Sequence, residues 1–101
     1  MEGSTGNDDG YSVSFSAEAI EELVRASVHQ REDVKVRGPR GVEARQENAR
    51  VFITLRLSVR ESQDYVALAT EVQKTLFDEM VAATGIEPAR IDIHIERLIG
   101  G

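Results

Sequence analysis

In the middle of this chain, Val51, Ile53, Leu55, Leu57 and Val59 place an aliphatic side chain at every odd position. Phe52, Thr54, Arg56 and Ser58 fill the places between them. A period of two makes one face of a β-strand continuously apolar. A slip of one residue would turn all five aliphatics toward water, so this strand fixes its own register. A strand with one oily face also needs a cover, and the flanking segments supply one.

Upstream, Ser16 is a good helix N-cap, and Ile20, Leu23, Val24, Ser27 and Val28 recur at helical spacing. Glu18, Glu21 and Glu22 stand near the positive end of that helix, with Arg25, His29 and Arg31 toward the other. The pattern predicts a helix from about Ala17 to His29. Downstream, Ser62 or Asp64 caps a longer helix reaching about Thr84, where Gly85 supplies a left-handed stop. Its apolar face runs through Tyr65, Leu68, Val72, Leu76, Met80 and Ala83, widened by Ala69, Phe77 and Val81. Three weaker strands complete the set. Tyr11 to Phe15 alternates, Val42 to Arg45 pairs back across the turn Glu47-Asn48-Ala49, and Ile91, Ile93 and Ile95 alternate with Asp92, His94 and Glu96. Val34 to Arg37 competes with Tyr11 to Phe15 for the place of the first strand.

The expected fold is therefore α+β. It is a two-layer sandwich in β-α-β-β-α-β order, ferredoxin-like or related, with two helices on one face of a mainly antiparallel sheet. Residues 1–10 are small, polar and acidic and read as a flexible acidic tail, leaving 11–99 as one domain. That N-terminus has no basic and apolar regions of the secretory kind. No apolar run approaches the roughly 20 residues of a membrane span. The expectation is a soluble, cytoplasmic protein.

Composition narrows the chemistry. Twelve Lys and Arg against eighteen Asp and Glu give a net charge of −6, which disfavours general nucleic-acid binding and direct adsorption to an anionic membrane. The absence of cysteine excludes disulfides, thiolate nucleophiles and cysteine-held metal sites. There is no P-loop, dinucleotide fingerprint or nucleophile elbow. Asp92, His94 and Glu96 share one strand face and could hold a metal, but Arg56 is expected beside them and a solvated sheet face is the simpler reading. Gly38-Pro39-Arg40-Gly41 matches the G-x-x-G form of a K-homology loop. Here, however, strand-like sequence lies on both sides, and a connecting turn fits better. No catalytic residue, cofactor or metal is expected.

What remains is a surface. Phe52 sits among polar residues, Arg37, Arg40, Arg45 and Arg50 form a local basic cluster, and Arg56 and His94 belong to the same predicted polar face. The candidate interaction surface is Phe52, Arg56, His94, Arg40 and Arg45.

The run Gly41-Val42-Glu43-Ala44-Arg45, the strand Val51 to Val59, the long helix, and Thr84-Gly85 leading into Ile91, Ile93 and Ile95 together resemble the alkaline shock protein family. These are bacterial envelope stress response proteins, and the resemblance covers Val13 to Leu98. It implies a non-enzymatic cytoplasmic scaffold that self-associates or docks on a membrane-anchored partner. Two other functions stay in view: a K-homology-like nucleic-acid module using Gly38 to Gly41, and a small-molecule regulatory domain.

Overall fold

A computed structural model describes residues 13–61 and 64–100. Two helices cover one face of a four-stranded sheet, an α+β fold as expected. The elements are α1 (Ala17–His29), β1 (Val34–Val36), β2 (Val42–Glu47), β3 (Arg50–Arg60), α2 (Tyr65–Thr84) and β4 (Arg90–Ile99).

Both helices end where the sequence places their caps. The Ser16 hydroxyl accepts from the Ala19 N–H at 3.0 Å, and the Asp64 carboxylate accepts from the Ala67 N–H at 2.8 Å. Asp64, rather than Ser62, is thus the cap of α2, and Ser62 lies outside the described residues. Gly85 closes α2 with φ +76°, and its N–H donates to the Val81 carbonyl. The helices bury Ile20, Val24 and Val28 on α1 and Val72, Leu76 and Met80 on α2. Leu23 and Phe77, expected on the apolar faces, are instead among the exposed large hydrophobics.

β3 is the spine of the sheet. Val51, Ile53, Leu55, Leu57 and Val59 are all buried, while the even positions 52–58 are half-buried on the other face. Its two edges are occupied differently. β4 runs parallel to it, with Ile53 opposite Ile91 and Leu55 opposite Ile93, and so fills one edge along nearly its whole length. β1 and β2 both pair antiparallel and share the other edge end to end, Val36 opposite Leu57 and Val42 opposite Leu55. They form one strand interrupted by an excursion at residues 38–41. Arg56 marks the break: its carbonyl accepts from the Arg37 N–H, and its own N–H donates to the Gly41 carbonyl. A side chain on Gly41 would run into Val36 Cγ1 and the Arg37 backbone, so glycine is required at the neck of this excursion.

The expected order differs in one place. Tyr11 and Ser12 lie outside the described residues, and Val13 to Phe15 is not a strand. Val34–Val36 supplies the fourth strand instead, giving α-β-β-β-α-β. A split βαβ arrangement, as in ferredoxin-like folds, inserts a strand between those that the crossover joins. Without one here, α2 connects nearest neighbours, and a helical crossover between adjacent strands makes them parallel. The sheet is therefore mixed rather than wholly antiparallel, although two of its three pairings are antiparallel.

Candidate interaction surface

The face of the sheet turned away from the helices carries four of the five expected site residues. Across its first row, Arg45 on β2 stands opposite Phe52 on β3, which stands opposite Arg90 on β4. Phe52 is half-buried rather than freely exposed, because two guanidiniums lie over it. The Arg45 and Arg50 Cζ atoms are 5.0 and 5.8 Å from the ring centroid. Cation–π contacts at such sites contribute about 0.5–1 kcal/mol and keep the stacked cations presented at the surface.

Arg56 is the hub of the next rows. Its Nη1 lies 3.2 Å from Glu43 Oε1 on β2, and its Nε lies 3.5 Å from Glu96 Oε2 on β4. The same Nη1 reaches the Arg40 carbonyl at 3.3 Å, so Arg40 joins the cluster through its backbone. His94 stands opposite Arg56 in the register. Farther along the strands, Lys35, Ser58 and Arg97 make the last such row, beside an open depression of about 420 Å³. Carboxylates lace this face without dominating it. Arg45 pairs with Glu47, Arg90 with Asp92 and Arg37 with Glu96.

The metal reading of Asp92, His94 and Glu96 meets these ion pairs. Asp92 is held by Arg90 at 2.8 Å and Glu96 by Arg56, and no group of three or more metal-ligating side chains occurs among the described residues. The G-x-x-G reading meets the topology, since Gly38 to Gly41 interrupts a strand edge and joins no two helices. An open depression of about 530 Å³ lies between α1 and β1, and its two arginines are already engaged. Arg25 donates to the Gly38 and Pro39 carbonyls at 3.0 and 2.6 Å, and Arg31 to Asp33 and Glu71.

The charge of the face is opposite in sign to that of the chain. Residues 34–60 and 90–99 carry nine Lys and Arg against four Asp and Glu, an excess of +5. The remaining three cations and fourteen carboxylates give −11, restoring the total of −6. Arg90, Arg97, Lys35 and the bridging Glu43 and Glu96 were not among the residues expected at the site. Only the parity of a parallel neighbour strand could have found those on β4.

Compared with known protein families and with characterised proteins, the chain matches none. Among the described residues no helix is long and apolar enough to cross a membrane.

Proposed function

We propose that this chain is a non-enzymatic interaction module of the alkaline shock, envelope stress response type. It works in the cytoplasm by self-association and by docking its exposed sheet face on an acidic surface of a partner, including one anchored in the membrane. The observation that carries this reading is the charge split, +5 on the strand segments against −11 elsewhere, centred on a phenylalanine beneath two guanidiniums. Complementary potentials of this kind steer encounter and select partners, and they weaken as salt screens them.

Fluorescence anisotropy with labelled poly-L-glutamate as the acidic probe tests the reading. Binding is expected at low ionic strength, falling steeply as salt is added. The double variant Arg45→Glu, Arg50→Glu is expected to weaken it at least about tenfold, the equivalent of about 1.4 kcal/mol, with an unchanged circular dichroism spectrum. Absence of binding at low salt, or binding indifferent to the double reversal, overturns the sheet face as the docking surface. A mixed RNA pool that outcompetes the peptide would move the function to nucleic acid.

A further inference from the structure

The two open edges of the sheet are treated differently by the rest of the molecule. On β2 the outward Ala44 N–H donates to the Glu21 carboxylate of α1 at 2.9 Å, and the Gln46 side chain donates to the Phe15 carbonyl. There α1 and the segment before it lie against the edge and meet one of its backbone donors. No strand among the described residues pairs with the outer edge of β4.

The groups that β4 presents there follow from the ladder. Arg56 exchanges its backbone bonds with β1 and β2, so even residues of β3 face that side and odd residues face β4. In a parallel ladder, the residue opposite an inward-facing residue turns its own N–H and C=O away. Ile91, Ile93 and Ile95 stand opposite odd residues Ile53, Leu55 and Leu57, so their backbone groups face outward. The Gln73 amide, reaching down from α2 to the Ile91 carbonyl at 2.9 Å, meets one of these groups. An unpaired edge of this length is a template for another strand.

The sequence of that edge is self-complementary. With two β4 strands antiparallel about Ile93, Ile93 faces itself, Ile91 faces Ile95, Asp92 faces His94 and Arg90 faces Glu96. Shifting the centre to residue 92 sets Asp92 against Asp92, and shifting it to 94 sets Asp92 against Glu96. Of these three centres only Ile93 avoids like charges, which are destabilising directly across a strand pair. A centre at residue 91 or 95 also avoids them but runs off the start of β4 or through its register shift. Residues 90–95 are the regular part of β4; Glu96 sits at the register shift against β3, with its carboxylate on the Arg56 face. The cations and carboxylates involved sit in exposed pairs now, and exchanging one exposed pair for another costs little.

A second feature borders the same edge. Val66, Ala69, Gln73 and Phe77 follow one another around α2 at helical spacing, on the flank from which Gln73 touches β4. The opposite flank, with Glu71, is tied to Arg31 on the α1 side. Val66 is 77% exposed and Phe77 37%, large apolar side chains that an isolated molecule leaves in water.

We propose that a second copy of this chain docks on β4, the two strands pairing antiparallel about a two-fold axis through Ile93. The two sheets become one across the pair, and the Val66–Phe77 flanks of the two α2 helices come to the same side of it. Such an interface is isologous, every contact occurring twice. It specifies the self-association named in the proposed function and uses the edge of β4 rather than the centre of the docking face. Arg90 and Glu96 belong to both, so the two are separated with the charge-conserving double variant.

Light scattering and sedimentation over a concentration series test it, with charge reversal as the probe. Wild-type protein is expected as a dimer. Arg90→Glu alone and Glu96→Arg alone each create two like-charge contacts and are expected to weaken dimerisation about tenfold or more. An equimolar mixture of the two variants restores both contacts in a heterodimer, as does the double variant R90E/E96R in a homodimer. Circular dichroism melts show that each variant folds. Wild type monomeric at every concentration overturns the proposal, as does a dimer unaffected by either reversal or one that mixing fails to rescue. Poly-glutamate binding, compared between wild type and R90E/E96R, whose face keeps its net charge, reads the docking face separately: a monomeric wild type that still binds the peptide leaves that face standing.

Discussion

Single residues decide how tightly the β2–β3 hairpin closes. Glu47 and Arg50 are paired, so Asn48 and Ala49 alone make the loop, and both have positive φ, 53° and 66°. Two such residues define the type I′ turn that matches strand twist, and its favoured sequence is Asn-Gly. Asn48 suits the conformation, whereas an alanine there carries the Cβ clash of the left-handed region. Ala49→Gly is expected to raise stability by about 0.5–1 kcal/mol, the steric relief exceeding the added freedom of the unfolded chain. For a chain of this size that is a rise of a few degrees in Tm, and a calorimetric scan showing no rise would contradict it. The site was partly legible at this scale. Phe52 and Arg56 could be read as surface residues, because alternation within β3 fixes their face, and Arg45 through the local basic cluster. The neighbourhood of Arg56 and Glu96 was also read, but Glu43 was not, because it meets Arg56 only through the register of β2 against β3.

At the scale of elements, burial ranks the strands. Leu55 is fully enclosed beneath both helices, while Ile93 on the outer strand is only half-buried. Leu55→Ala is expected to cost about 3–5 kcal/mol and Ile93→Ala about 2 kcal/mol or less, although the sequence treats the two as equal core residues. Midpoints of guanidinium unfolding check the ranking, and equal losses would place β4 deeper than the structure does. The extents of both helices and of β3 were legible, since capping residues and strict periodicity are local signals, but the helix faces were drawn too wide at Leu23 and Phe77. The first strand was not. Tyr11 to Phe15 has the right alternation, but Val34 to Val36 follows α1 directly and pairs with the end of β3. The parallel neighbourhood of β3 and β4 was equally hidden, because it depends on which strand fails to insert between them.

For the whole molecule, one ionic cluster ties the layers together. Arg31 grips Asp33 through two hydrogen bonds of 3.0 Å and reaches Glu71 on α2 at 2.7 Å, joining the end of α1, the approach to β1 and the second helix. The hydrogen bonds from Arg31 hold the Asp33 carboxyl below its ordinary value of 3.8, against the opposing effect of burial. A carboxyl with a lower pKa in the folded state stabilises fully above its unfolded value and loses that contribution as pH falls through the folded one. Stability is therefore expected to decline below about pH 4, and less steeply in Asp33→Asn. Urea titrations between neutral and acid pH measure both slopes, and identical slopes would remove Asp33 from the acid response. The central place of β3 bears on synthesis as well. Its antiparallel partners precede it in the chain, but β4 begins thirty residues after β3 ends, at Arg90 against Arg60. At about 5–20 residues per second, the most apolar strand leaves the ribosome with one edge uncovered for roughly 2–6 s. During that interval a nascent chain is open to capture by a neighbour on the same message, and a chaperone has most to protect.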